Sequence, residues 1–515
     1  MHPFALRSVP EPRLDVLGSV GSPRVELLSI AAQSKATPAV ASRGVAAGGI
    51  VGTPRSPKRV GLAGLASSLV LGAMLVGCSD EGAQPAASAK SDSAASASAT
   101  AGGESTPAIG VPALPDDLPN ALVLALSAFD ARKPGDQGPP VPLPAELELI
   151  VRRGGQWIAT RMTDPESNVF HKALAYTTPE GEQVLLTGGG TKALLKLWRK
   201  QAGQLVSQTI WEKDFGGKFS RMRDIEVGDV DGDGSRVIAV ATHDQGVVAV
   251  VRPKEGGYSV EELDHEKNTF VHEIELGDVD GDGVLEIYAT PSEPNRLDGS
   301  EQEGHVVRYV PKKGEGRKIV ADLGKRHAKE ILVHDVDGNG KDELYVLVEG
   351  QKAPSGEGLL HRTEIWRYEA DTPPDQGVPI AEFEDRLGRF LTPADLDGDG
   401  RKEIVAALYQ KGVWWLEPGE DVSKPWTKRV VDRDSKSFEH AAIATDLDGD
   451  GRQELYVAND DGKSIRRYVW NGRRLVKEEI YARQDDRSIL TWNIMPIPVA
   501  LVPDAAAAAP SASAQ

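Results

Sequence analysis

Five short stretches place acidic side chains at intervals suited to holding a hard cation. They begin at Asp229, Asp278, Asp335, Asp395 and Asp446 and read DVDGDGSRV, DVDGDGVLE, DVDGNGKDE, DLDGDGRKE and DLDGDGRQE. Counting the first aspartate as position 1, carboxylates or a carboxamide stand at 1, 3 and 5, and glycine at 6 permits a sharp turn. Position 9 is Glu286, Glu343, Glu403 or Glu454, with Val237 the exception. With a backbone carbonyl from position 7, such a density of hard oxygen donors suits Ca²⁺. At positions 1, 3, 5 and 9 the loops carry eighteen carboxylates, as many as the whole net charge of −18. Without a cation each loop crowds like charges together, so bare solvated turns are a poor account of them.

Positioning such loops is the work of the strands around them. An alternating strand precedes each loop (HEIEL, AKEILV, HAAIAT) and another follows it (EIYAT, ELYVLV, EIVAAL). Two more follow, the third strands being VVAVVR, HVVRYV, TEIWRY, GVWWLE and SIRRYV. Successive loops are 49, 57, 60 and 51 residues apart, room for four short strands, the period of a propeller blade. No segment of helical period is long enough for a crossover, which excludes a parallel α/β sheet. A sixth, degenerate unit starts at Phe170 and lacks the acidic triplet. At the N-terminal edge, Glu146 to Arg152 and Trp157 to Met162 read as strands three and four of a blade. At the other edge, Ser488 to Met495 and Pro498 to Val502 read as strands one and two. Joining the halves gives an all-β, seven-bladed β-propeller of four-stranded blades over residues 144–503, the last blade closed by strands from both termini. An open array would leave a free sheet edge.

An EF-hand opening shares the Asp-x-Asp-x-[Asp/Asn]-Gly pattern but needs a bidentate glutamate at position 12. Here that position is Val240, Ala289, Val346, Ala406 or Val457, so all five loops fail the test. An acidic hairpin between the first two strands of a blade instead resembles those of integrin α-subunit propellers and of bacterial FG-GAP/VCBS repeat proteins. The phenylalanine-glycine and glycine-alanine-proline signatures of the integrin repeats are missing, which favours the bacterial relatives. The resemblance implies one Ca²⁺ per intact loop, about five in all. Carried over by position, the ligands are Asp229, Asp231 and Asp233, the weakest site for want of a final acid; Asp278, Asp280, Asp282 and Glu286; Asp335, Asp337, Asn339 and Glu343; Asp395, Asp397, Asp399 and Glu403; Asp446, Asp448, Asp450 and Glu454.

A second set of residues recurs six positions before each loop aspartate: Arg223, His272, Lys329, Arg389 and His440, with His171 and Arg487 at the matching points of the outer units. In a propeller these positions converge on the channel mouth opposite the acidic hairpins. A cationic ring there would focus field on an anion, such as an anionic glycan or a carboxylate of an extracytoplasmic protein. The competing reading is seven independent strand ends paired with neighbours such as Asp224, Glu273 and Glu330. The net charge argues against nucleic acid. No nucleophile elbow, zinc motif, Walker loop or dinucleotide fingerprint appears, and adjacent strand residues such as His272 and Glu273 point to opposite faces. The sequence therefore favours a binding or adhesion module, monomeric, over the alternative of a glycan-active, polysaccharide lyase-like enzyme.

Outside the repeats, Arg55, Lys58 and Arg59 precede an apolar run from Val60 to Val76 that ends at Gly77-Cys78. This resembles the signal peptide and lipobox of bacterial lipoproteins, with Cys78 the lipidated residue and the membrane its partner. It implies the cell envelope, periplasmic or surface-exposed. Residues 1–54 fit no part of such a signal and read as disordered or as an upstream segment before a non-Met start. Residues 79–143 read as a low-complexity tether, in which NALVLALSAF (120–129) is a short helix or a segment leaning on the domain. The tail 504–515 is again Ala, Ser and Pro. With one cysteine, no intrachain disulfide is possible.

Overall fold

The computed structural model describes residues 110–130, 141–216, 220–484 and 487–504. The expected leader segments 1–54 and 55–78 with Cys78, most of the tether, and the tail beyond Asp504 lie outside the described residues.

Seven four-stranded antiparallel sheets form the blades of a propeller ring. In blades one to six the first strand is innermost: Phe170–Thr177, Met222–Gly228, Val271–Gly277, Ala328–His334, Gly388–Ala394 and Ala442–Thr445. Each inner strand lies against the next, and that of blade seven returns to the first. Seven apolar clusters fill the seven gaps between blades. One, for example, joins Leu186 and Leu195 of blade one to Ile225 and Val240 of blade two, and another joins Leu147 of blade seven to Leu185 of blade one. A blade is thus covered on both faces, which explains why second strands such as Glu454–Asn459 are buried at every residue. Outer strands such as Thr427–Asp432 instead face water over most of their length.

Blade seven closes differently from the sequence expectation. Its order from the channel outwards is Ser488–Pro498, Asn120–Phe129, Ala145–Arg153, Gln156–Asp164, so the C-terminus gives one strand and the N-terminus three. NALVLALSAF is therefore neither helix nor tether. It is the second strand, paired with the C-terminal strand from Asn120↔Pro498 to Phe129↔Ser488 around one bulge. Burial on both faces removes the period of two by which a strand is recognised. Pro498 ends the inner strand, and Val499–Leu501 is a turn of 3-10 helix that packs back against the blade.

The register fixes two opposite faces. Gly277 pairs with Glu286, so the acidic loops join strands one and two at one end of the ring. Val271 pairs with Pro291, so the starts of the inner strands and the links between strands two and three share the other end. Two of those links are long: Ser292–Gly304 in blade three, and Glu349–Arg362 in blade four, which carries its own small hairpin.

Candidate functional site

In each acidic loop the position 1 carboxylate accepts hydrogen bonds from backbone N–H groups of the turn. Asp446 receives those of Gly449, Asp450 and Gly451 at 2.7, 3.1 and 2.8 Å. Gly398 and Gly400 take φ values of +72° and +86°, which side chains rarely adopt, so the turn needs glycine there. The folding of the turn gathers the acids. Oxygens of Asp278, Asp280 and Asp282 lie within 4.8 Å of one another, as do those of Asp335, Asp337 and Glu343; of Asp395, Asp397, Asp399 and Glu403; and of Asp446, Asp448 and Asp450. Each group could hold a metal ion. Asp229, Asp231 and Asp233 form no such group. Asp231 instead accepts from Nε and Nη2 of Arg252, at 2.6 and 2.9 Å.

That arginine belongs to a set absent from the sequence expectations. Arg308 meets Glu286 at 2.6 Å, Arg367 meets Asp337 at 2.7 Å and Glu343 at 3.3 Å, and Arg467 meets Glu454 at 3.1 Å. Each comes from the third strand, opposite Tyr288, Tyr345 or Tyr456, whose hydroxyl donates to the same glutamate. Burial pushes these glutamates up, Glu343 to about 7. Glu286 and Glu454 stand outside their aspartate groups, whereas Glu343 stays within its own. In blade five the pair is Val405 and Trp415. Among the described residues none of its four acids is in an ion pair. One oxygen of Asp395 is buried without a hydrogen-bond partner, and burial pushes Glu403 up to about 8. The donor set and its uncompensated charge fit a divalent cation best in this loop. A recurring arginine-tyrosine pair in strands HVVRYV, TEIWRY and SIRRYV was the available signal.

The basic residues do not form a ring of seven cations. His171, Arg223, Lys329 and Arg389 line a channel cavity of about 270 Å³. In each of their strands the pairing register skips this residue, so a β-bulge turns the side chain toward the mouth. His440 is elsewhere: its Nδ1 donates to the Leu408 carbonyl at 2.8 Å and its Nε2 accepts from Ser435 at 2.7 Å. His272 is buried 3.0 Å from Glu293, and Arg487 pairs with Glu146. Burial is the first cause that holds the histidines neutral. His171 is pushed down by burial and by Arg223, His272 by burial and by Lys329, and His440 by burial to about 4. The cations at the mouth are therefore Arg223, Lys329 and Arg389. Lys329 has Glu293 at 2.6 Å, and Arg389 has Glu349 and Glu439. Arg223 has no carboxylate partner among the described residues and stacks on Trp492 at 5.0 Å. The Nε2 of His171 is buried beside it without a partner.

Deeper in the channel the acids do structural work. Asp224 accepts from the backbone of Ile274 at 2.9 Å, and Glu330 from Leu391 at 2.7 Å, each stitching one inner strand to the next blade. Lys172 lies between Asp224, at 3.1 Å, and Glu226. Glu273, Glu275 and Glu330 are pushed well above the usual carboxylate range by lost hydration, and neighbouring carboxylates push the same way.

The FG-GAP-like repeat family matches residues 395–457, the segment from the Asp395 loop through the last acidic loop. This is a β-propeller with an FG-GAP repeat. No curated protein matches the sequence. Among solved structures, a Lactobacillus plantarum protein is 10% identical over 73% of this chain and 99% of its own, with a TM-score of 0.45. The Pseudomonas aeruginosa periplasmic gluconolactonase is 13% identical over 72% and 99%, with a TM-score of 0.41. Neither likeness bears on what this chain binds.

Proposed function

We propose that the chain is a calcium-braced binding module of the bacterial cell envelope, tethered through a lipid on Cys78, that receives an anionic group at the mouth of its channel. The observation that carries the reading is Arg223, set on a β-bulge over Trp492 and, among the described residues, without a carboxylate in ion-pair contact. Lys329 and Arg389 are held at the same mouth by carboxylates that fix their positions. A carboxylate or sulfate that reached Arg223 would find a pre-oriented, partly dehydrated guanidinium and gain a charge-assisted bond stronger than in open water. Calcium would be held by the loop acids, first by Asp395, Asp397, Asp399 and Glu403. When bound, it supplies neutralising charge at the far end of the ring.

The reading is tested by calorimetric titration of the full chain with uronate oligosaccharides and their uncharged, carboxyl-reduced counterparts. The charged series should bind at least tenfold more tightly, and Arg223→Ala should remove that difference. Equal binding of the two series would refute an anion site at the mouth.

A further inference from the structure

A second cavity lies on the same face, outside the channel, and is built by parts of the chain that depart from the repeat. It has a volume of about 640 Å³, inside the range of about 300–1,000 Å³ typical of small-molecule sites. The long link Ser292–Gly304 of blade three forms one wall, and the connectors at Glu266, Thr269, Lys325 and His327 form the rest, with Gln351 of the blade four insertion at the edge. Insertions confined to one face of a repeat protein are where recognition is most often placed.

The blade three link is held in one shape. Arg296 N–H donates to Ser300 at 2.8 Å, Leu297 N–H donates to Asn268 at 3.0 Å, and Gln302 N–H donates to Pro294 at 3.2 Å. The Arg296 guanidinium reaches Thr269 and Glu266, both at 2.7 Å. Its root, Glu293, is the acid shared by His272 and Lys329. Gln302 lines the cavity, 7% exposed, and the oxygen and nitrogen of its carboxamide are buried and both lack a hydrogen-bond partner. A buried amide left unsatisfied on both atoms is rare and calls for a reason.

The neighbours narrow the chemistry of a ligand. Arg317 is engaged by Asp264 and Glu266, and Arg296 by Glu266, so both arginines of the lining are already paired with acids. His327 is buried beside Ser292 Oγ at 3.5 Å and is held neutral by that burial. Lys325 and Glu301 stand at the rim, 3.9 Å apart and almost fully exposed. Inside the rim formed by the exposed Asn295, Glu301 and Glu303, the lining offers an amide that donates and accepts side by side, and neutral imidazole. Pro291 and Pro294 supply the apolar surface. Two adjacent hydroxyls match that pairing: one accepts from Gln302 Nε2 and the other donates to Oε1. From this geometry we infer that the cleft between blades three and four is a binding site for a neutral saccharide unit, recognised through a vicinal diol by Gln302.

The test uses the calcium-loaded full chain, saturation-transfer NMR and calorimetry, and D-glucose, D-galactose and D-mannose as probes. At least one should saturate in the millimolar range, and Gln302→Met should weaken it tenfold or more. Arg223→Ala should leave it unchanged, which separates this site from the channel mouth. Thermal melting provides the control for folding. An orphaned amide placed for a ligand is replaced by methionine at no loss of melting temperature, whereas an amide with a structural task is not. Absence of binding by all three sugars, binding indifferent to Gln302→Met, or preference for a glutamine-bearing peptide over every sugar would each overturn the inference.

Discussion

His440 shows how burial decides what a residue does at a given pH. Its ring is fully buried, bonded to Leu408 and Ser435, with Arg466 opposing protonation and Asp432 favouring it. The folded protein binds a proton there only near pH 4, whereas the unfolded chain binds one near 6.5. Between those values the unfolded state carries the extra proton, so stability is full above about 6.5 and falls as pH drops toward 4, by ~1.4 kcal/mol per unit. The His440→Gln variant should lose ~2–3 kcal/mol less than the parent between pH 6.5 and 4.5, measured by urea unfolding. Equal losses would show that His440 does not titrate as buried. The raised carboxylates Glu273, Glu275 and Glu330 act with the opposite sign but are common to both proteins. Spacing alone groups His440 with Arg223, because position in a repeat says where a strand begins. Protonation depends on what closes over it. The Asp-rich loops were legible for the converse reason: their turn and their ligands are local, whereas the arginines that answer them arrive from a strand about twenty residues on.

The element least visible in the sequence is the strand Asn120–Phe129. It lies between Ala145–Arg153 and Ser488–Pro498, and Leu122, Leu124 and Leu126 join the cluster between blades six and seven. A strand covered on both faces shows continuous apolar residues, and the prolines at 115, 119 and 134 make it look like linker. Blades two to six could be read because each has an acidic loop to mark where strand one ends, and blade seven has none. Its position makes it the clasp of the ring: Trp492 Nε1 donates to Ser127 at 2.7 Å, and Arg483 binds Glu148 at 2.9 Å and Asp460 at 2.6 Å across the joint. Without it the C-terminal strand loses its partner and two interfaces open to water. A chain starting at Gly110 should melt as the full chain does, and one starting at Pro144 should show no cooperative transition by circular dichroism. The graded version is Leu124→Ala, fully buried in the parent, which should cost ~2–5 kcal/mol in urea. A stable, cooperative chain from Pro144 would mean that the ring does not need its clasp.

At the scale of the molecule the ring separates two chemistries. Acidic loops crowd one end, and the cations and insertions stand at the other, within a chain of net charge −18. Four loops carry an arginine from their own blade as a partial counter-ion, and the Asp395 loop carries none. The two arrangements predict opposite responses to neutralising a glutamate. In excess EGTA, Glu403→Gln should raise the melting temperature, because it removes a buried carboxylate with no cation to offset it. In calcium the same variant should lower it, by up to the ~2.7 kcal/mol that one site contributes at a hundredfold excess over its dissociation constant. Glu454→Gln should lower it in both, with a loss of ~1–3 kcal/mol of stability, since it removes the buried carboxylate at 3.1 Å from Arg467 and leaves that guanidinium only Glu478, at 3.3 Å. The parent should melt several degrees lower in EGTA than in millimolar calcium. Because each blade packs only on its two neighbours and the ring must close, that loss should appear as one shifted transition, with no separate event for blade five. A sign for Glu403→Gln that stays the same with and without calcium would remove the cation from the Asp395 loop, and with it the reason for leaving four acids there unanswered.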